Sequence, residues 1–345
     1  MPKCAGVVAR SGVVEANVRK PNRYVVAFLG LGACLGGATL YAMGGTCSAT
    51  TAAFDDSPQP VLHTLLDAVP SDAQIVWALD VGSIRRSPYA VWLSRETGLG
   101  FGIDCRRVVE DHVEALVAWE PSEQEAGLAL AAWVDASESA LLECTEHYVV
   151  ERGAVPIITQ RDGFKVITDD GLGPNAARLA VRDPGLVLLG PPNSHSRMIE
   201  AVERRISSVR RGGKHARMRD EIGAGDLTLS IVVDARLRSR IREWVGEPTL
   251  VELLEGCAVA VDFQETTVLR SVFWCETEKG CADVVNQLGT LRERLVDSLP
   301  IPSAFLASWF ESMQVQHDGM KVSVRVAVSA SQVLGMVEYL KQELW

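Results

Sequence analysis

The sequence predicts an α+β protein in which an N-terminal transmembrane helix precedes two tandem related units. Each unit is expected to be a mostly antiparallel sheet with helices on one face. Three observations support this prediction. Residues 24–54 contain no charged side chain. Later segments alternate apolar and polar positions and are joined by tight turns or followed by helical patterns. Four short motifs recur in the same order in both halves of the chain.

The N-terminal region predicts how the protein is placed at a membrane. Residues 24–46 are mostly apolar or small, and at 1.5 Å rise per residue they are long enough to cross a hydrocarbon layer of ~30 Å. The preceding residues 1–23 are basic, and basic flanks stay on the cytoplasmic side. We therefore expect a cytoplasmic tail over 1–23, a bilayer-spanning helix over 24–46, a linker over 47–70, and an extracytoplasmic, periplasmic bulk.

The same apolar segment has two alternative interpretations. Gly30, Gly32 and Gly36 imitate a dinucleotide-binding turn, but no alternation of strands and helices follows, and small residues four apart also suit a close-packed membrane helix. Leu31-Gly32-Ala33-Cys34 resembles a bacterial lipoprotein cleavage box, so lipidation at Cys34 is the alternative anchor. Both anchors hold the chain at a membrane and leave its bulk outside the cytoplasm.

The proposed duplication divides the remaining chain into unit one, residues 71–210, and unit two, residues 211–345. The clearest match pairs Asp162-Gly163 with Asp318-Gly319, since both dipeptides favour a tight hairpin turn. In another match, a strand ending at Asp80 corresponds to a strand followed by Asp234. Within each unit the expected order is strand-helix-strand-strand-helix-strand, which is similar to a ferredoxin-like unit. That similarity implies no function.

Few residues suggest chemistry, and none is assigned a catalytic, cofactor-binding or metal-binding role. Asp80 and Asp234 are candidates for a carboxylate pair between the units, although strand termination and helix capping is the simpler interpretation. With His147, they form the possible site if the protein is an enzyme. Cys144 and His147 lie one helical turn apart, but a zinc site needs three or four ligands, and Cys144 is expected to be a packed thiol.

Two polar segments have structural interpretations that compete with functional ones. Asn193-Ser194-His195-Ser196 offers a hydroxyl and a base, but lacks a nucleophile-elbow pattern and is expected to cap a helix. A basic run over residues 204–219 is expected to be a solvated linker, because the domain around it is acidic and no aromatic residues are interleaved. No nucleic-acid partner is predicted.

Six cysteines follow the predicted membrane segment, where an oxidising compartment would permit disulfides. Cys257 and Cys275 lie on adjacent predicted strands and are candidates to approach each other. Cys105, Cys144 and Cys281 have no assignable partner from sequence.

One short segment resembles other proteins. Residues 70–73, Asp80 and residues 84–88, within a span of about twenty residues, resemble uncharacterised predicted envelope proteins of Gram-negative bacteria, and the resemblance implies no activity. The sequence therefore predicts a membrane-anchored, non-catalytic extracytoplasmic scaffold or binding protein with a possible envelope protein partner, using the surface or cleft between its two units. The alternative is an extracytoplasmic hydrolase with a site assembled from sequence-distant residues.

Overall fold

A computed structural model describes residues 59–90, 112–120, 128–151, 153–169, 177–245, 250–298 and 309–335. Its helices are α1 (Gln59–Asp67), α2 (Val81–Arg85), α3 (Glu138–Glu151), α4 (Pro192–Val202), α5 (Gly213–Ile222), α6 (Ala235–Val245) and α7 (Glu278–Ser298). Its strands are β1 (Ile75–Asp80), β2 (Val113–Glu120), β3 (Ala129–Val134), β4 (Pro156–Arg161), β5 (Phe164–Asp169), β6 (Arg178–Arg182), β7 (Leu186–Gly190), β8 (Leu227–Val232), β9 (Leu254–Asp262), β10 (Thr266–Cys275), β11 (Gln314–Asp318) and β12 (Lys321–Ser329).

The strands form one sheet of 12 strands in the order β11-β12-β10-β9-β8-β1-β2-β3-β7-β6-β5-β4. Each pair of neighbours is antiparallel. The α+β class and the antiparallel sheet are therefore confirmed. The ferredoxin-like similarity does not extend to topology, because β1 pairs directly with β2, and β8 with β9, as antiparallel neighbours.

The central pair, β1 and β8, joins the two predicted units into one sheet. Ile75 lies opposite Ile231, and Leu79 lies opposite Leu227. The backbone hydrogen bonds of the sheet therefore continue across the boundary between the units. This pairing joins residues more than 140 positions apart, which is why strand patterns alone predicted two separate sheets.

Helices cover both faces of the sheet, so the prediction of helices on one face is wrong. In β3, Ala131 packs with α4 residues in one core cluster, whereas its neighbour Ala132 packs with Leu141 of α3 in another. Successive residues of a strand point to opposite faces, so α3 and α4 lie on opposite faces of the first half. In the second half, α5 packs on one face and α7 on the other.

Part of the predicted linker is structured. Residues 59–67 form α1, whose Leu65 and Leu66 are buried against the sheet. The predicted linker 47–70 is therefore helical over residues 59–67, because the spacing of Leu62, Leu65 and Leu66 gives that segment an apolar helix face. Residues 1–58 lie outside the described residues, so the predicted tail, membrane helix and Cys34 alternative remain predictions. Among the described helices, none is long and apolar enough to cross a membrane.

Candidate functional site

Asp80 ends β1, and its carboxylate caps α2. Oδ1 accepts a hydrogen bond from the Ser83 N–H at 2.8 Å, as is typical of an N-cap aspartate. Burial raises the pKa of Asp80, while the Ser83 hydrogen bond opposes this shift and the nearby Asp226 adds to it. The carboxylate is buried and already engaged by the backbone, so its position is explained by helix capping.

Asp234 has the corresponding role after β8 but lies far from Asp80. Its Oδ1 accepts hydrogen bonds from the Leu237 N–H and from Nε2 of Gln74, each at 2.7 Å. Because β1 and β8 are antiparallel, Asp80 and Asp234 lie at opposite ends of the pair. At ~3.3 Å per residue the separation is at least about 15 Å, so the structure does not bring the two carboxylates together as a catalytic pair.

His147 lies on α3 and is exposed, with a contact of 3.2 Å between Nε2 and the carboxylate of Glu151 one turn later. Neither of the two aspartates approaches it, so the three candidate site residues do not form one site. The expectation of a packed thiol at Cys144 is wrong, because Cys144 is disulfide-bonded. Among the described residues, no group of three or more metal-ligating side chains is placed to hold a metal ion.

The polar segment at residues 193–196 belongs to the first turn of α4 instead of capping it. The N-cap residue is Pro191, which makes no side-chain cap hydrogen bond. Ser194 and His195 are instead buried inside the turn. The pKa of His195 is lowered to about 4, mainly by burial and in part by the nearby Arg178 and Arg161. A neutral imidazole and a hydroxyl that solvent does not reach are unsuited to attack a substrate.

The boundary between the two halves is filled and does not form a cleft. On one face, Trp77 of β1 packs against the core of the second half. On the other, His215 of α5 is completely buried and bridges Ser230 Oγ of β8 and the Ala73 carbonyl that precedes β1, each at 2.7 Å. The candidate binding cleft between the units is therefore occupied by core side chains and by α5.

The basic run is folded, so its interpretation as a solvated linker is wrong. Arg210 and Arg211 both reach the carboxylate of Asp67 in α1, at 2.9 and 3.0 Å. Arg205 contacts Asp162 in the β4–β5 turn at 2.6 Å, and residues 213–222 form α5. These arginines pair with carboxylates of their own chain.

Two cysteines of the second half form a disulfide that the sequence did not predict. Cys275 at the end of β10 is bonded to Cys281 in α7. Cys257 is a buried thiol in β9. The suggested approach of Cys257 to Cys275 is wrong, because Cys257 lies opposite Phe273 in the ladder, and Cys275 lies opposite Leu254. The six-residue spacing of Cys275 and Cys281 was the available sequence signal.

The surface that differs most from an ordinary polar exterior lies at the β4 edge of the sheet. Four large apolar side chains are exposed in β4 or shortly before it in the chain: Val150 (57%) near the end of α3, Val155 (67%), and Ile157 (40%) and Ile158 (42%), which lie on opposite faces of the strand. Elsewhere in the described part of the chain, exposed large apolar side chains are Leu128 and Met320. We call the four residues at β4 the β4 patch. Clustered exposed apolar residues mark interaction surfaces more often than isolated ones.

The opposite edge of the sheet, β11, is polar by comparison. Its strand reads Gln-Val-Gln-His-Asp, and its side chains are exposed except for the half-buried Val315. Natural sheets protect edges with polar or charged side chains, and β11 fits that pattern. The β4 edge fits it less well, because Ile157 and Ile158 are apolar and exposed among its polar residues; sequence reasoning missed this because both look like ordinary strand residues.

Comparison with known proteins gives little. No protein-family model matches the chain, and no curated protein matches it. The solved structure entitled "Structure of crystal form I of TP0453" is similar over 80% of this chain and 97% of that one, with 10% sequence identity and a TM-score of 0.48. A likeness at this level assigns no function.

Proposed function

We propose that the protein is a membrane-anchored, extracytoplasmic, non-catalytic scaffold or binding protein with an internally duplicated domain. In this proposal residues 24–46 span the bilayer, the N-terminus is cytoplasmic, the bulk is periplasmic, and the β4 patch binds a protein partner. Lipidation at Cys34 is the alternative anchor and predicts the same exterior location for residues 59–335.

The observation that carries the proposed location is the disulfide between Cys275 and Cys281, accompanied by the disulfide-bonded state of Cys144. Disulfides persist in the periplasm and in extracellular spaces, and are rare in the cytosol, where thiols are kept reduced. An apolar segment preceded by basic residues would place this part of the chain in such a compartment.

The non-catalytic role is supported by the contacts of the groups with shifted pKa values. Asp80 caps a helix, and His215 bridges the Ser230 hydroxyl and the Ala73 carbonyl. Asp262 has a pKa raised by burial and is paired with Arg270 at 2.9 Å. Perturbed groups in an active site converge on a cleft. Asp80 and Asp262 do lie near the same residue, Asp226, but each carboxylate is engaged in a structural contact. No observation favours a hydrolase built from Asp80, Asp234 and His147.

The proposed duplication is supported by strand order. Outward from the centre, the halves follow β1-β2-β3-β7-β6 and β8-β9-β10-β12-β11. In both halves the first three strands follow the order of the chain. The outermost strand of each series comes earlier in the chain than the strand beside it. This alignment makes β6–β7 the counterpart of β11–β12, so the Asp162-Gly163 hairpin of β4–β5 is an addition to the first half and not the counterpart of Asp318-Gly319.

The location is tested by fractionating cells that express the full-length chain and a variant lacking residues 24–46. We expect the full chain to sediment with membranes, to resist carbonate extraction and to require detergent for release. The deletion variant should lose all three properties. A full chain that is recovered in the soluble fraction without detergent would refute the membrane anchor.

A further inference from the structure

The geometry of the β4 edge points to a second copy of this chain as its occupant. We infer that the β4 strands of two copies pair antiparallel about a two-fold axis perpendicular to the sheet, with Ile158 opposite Ile158 of the second copy. The two 12-stranded sheets would then form one continuous sheet. This inference rests on the proposed binding role of the β4 patch and is independent of how the chain is anchored.

The backbone of β4 offers hydrogen-bonding groups at this edge. Asp162 and Gly163 have φ angles of 52° and 77°, the positive values of a two-residue type I′ hairpin. Arg161 and Phe164 flank this turn and are paired in register, so they are a hydrogen-bonded pair. Because such pairs alternate along an antiparallel ladder, Ile158 and Gln160 direct their N–H and C=O groups away from β5.

The arrangement of these groups suits a two-fold partner. With Ile158 on the axis, the two Ile158 residues exchange a pair of N–H···O bonds. Gln160 then lies opposite Pro156 of the second copy, and its N–H donates to the proline carbonyl. Pro156 has no N–H of its own, so the only ladder hydrogen bond missing in this register is the one that Pro156 would donate to the Gln160 carbonyl of the second copy. Every outward N–H of the strand has an acceptor.

The side chains are complementary in the same register. Ile158 meets Ile158 of the second copy on one face of the sheet, and Ile157 meets Thr159 on the other, so apolar area now in water is buried.

The other sheet edge gives a matched control for this inference. Met320 adjoins β12 and is 47% exposed, so Met320→Lys introduces the same charge at an exposed apolar position outside the β4 patch. In β11, Gln316 is an exposed residue of the opposite edge strand, remote from Ile158. Substitutions there should alter neither the β4 edge nor anything that binds to it.

The first experiment measures the mass of the purified full-length chain in detergent by sedimentation or light scattering over a concentration series. We expect a dimer, twice the 37.4 kDa chain mass, that dissociates on dilution. Ile158→Lys removes one buried isoleucine from each copy and should raise the dissociation constant at least about 100-fold. Met320→Lys should leave it unchanged. The melting temperature of both variants establishes that they fold.

The second experiment tests the register. Ile158→Cys should give a disulfide-linked dimer on mild oxidation, because residues in a hydrogen-bonded pair have Cα atoms about 5.5 Å apart, within disulfide range. Gln316→Cys should remain uncrosslinked. A monomer at all concentrations, or a dimer that Ile158→Lys leaves intact, would overturn the self-pairing. Either result would leave the fractionation behaviour of the full chain unchanged, so it is distinguishable from failure of the proposed membrane location.

Discussion

His215 connects the two halves of the sheet through a neutral imidazole, and protonating it should weaken the fold. The Ala73 carbonyl oxygen can only accept a hydrogen bond, so Nε2 carries the proton and Nδ1 accepts from the Ser230 hydroxyl. The pKa of His215 is lowered to about 4, mainly by burial; the Ala73 hydrogen bond opposes this shift, and Arg219 on the same helix contributes to it. An additional proton would place a charge where no solvent reaches it.

The pH window and the size of the effect follow from these pKa values. An unfolded histidine titrates near 6.5, so between about pH 6.5 and pH 4 the unfolded state takes up a proton that the folded state does not. Stability is therefore complete above pH 6.5 and falls as the pH is lowered towards 4. Between pH 7 and pH 4.5 the contribution of His215 to this loss is about 2.5 kcal/mol.

The assay is urea unfolding of the full chain in mild detergent at pH 7 and pH 4.5. His215→Gln should be less stable than the natural protein at pH 7, since it disturbs a buried hydrogen-bonded bridge. Its loss of stability on acidification should nevertheless be smaller by about 2–3 kcal/mol. The control, His147→Gln, replaces an exposed histidine and should retain the full loss. Equal pH-dependent losses for His215→Gln and the natural protein would refute the reasoning.

Two further predictions concern positions where local geometry decides the outcome, and both are measured as changes in unfolding free energy at pH 7. Asp80→Asn should be at least as stable as the natural protein, because asparagine caps helices as well as aspartate does and the change removes a buried charge near Asp226. Asp80→Ala should lower the unfolding free energy by about 0.5–2 kcal/mol. Equal effects of the two variants would contradict the capping role. Gly185→Ala should cost about 3 kcal/mol or more, because φ is 114° and a Cβ would lie 2.0 Å from the Val134 carbonyl oxygen. The matched change Gly289→Ala, in α7 with no atom within 4 Å of its Cβ position, should stabilise by about 0.5–1 kcal/mol, and a similar cost at both glycines would contradict this account.

Local structure was largely predictable from the sequence, whereas the way that elements join was not. The strand that ends at Asp80 was predicted and is confirmed, because its apolar run ends at a residue suited to cap the next helix. Pairing of β1 with β8 depends on contacts distant in sequence, which periodicity does not encode. Helix α5 was missed because three apolar-facing side chains, His215, Met218 and Ile222, are hidden among arginines and a lysine.

The candidate functional surfaces show the same division. Capping by Asp80 and Asp234 was predictable, since an acid directly after a strand and before a helix has a local role. The buried state of His195 was not, because it depends on how α4 packs on the sheet. Exposure of Ile157 and Ile158 was also hidden, since the sequence does not reveal that β4 is an edge strand.

The central claim, that the folded part of the chain is held outside the cytoplasm by its N-terminal segment, is tested most directly by protease accessibility. Spheroplasts that express the full chain with a C-terminal epitope are treated with protease before and after lysis. We expect the epitope to be destroyed in intact spheroplasts while a cytoplasmic marker survives, and both to be destroyed after lysis. An epitope protected until the cells are lysed would contradict it.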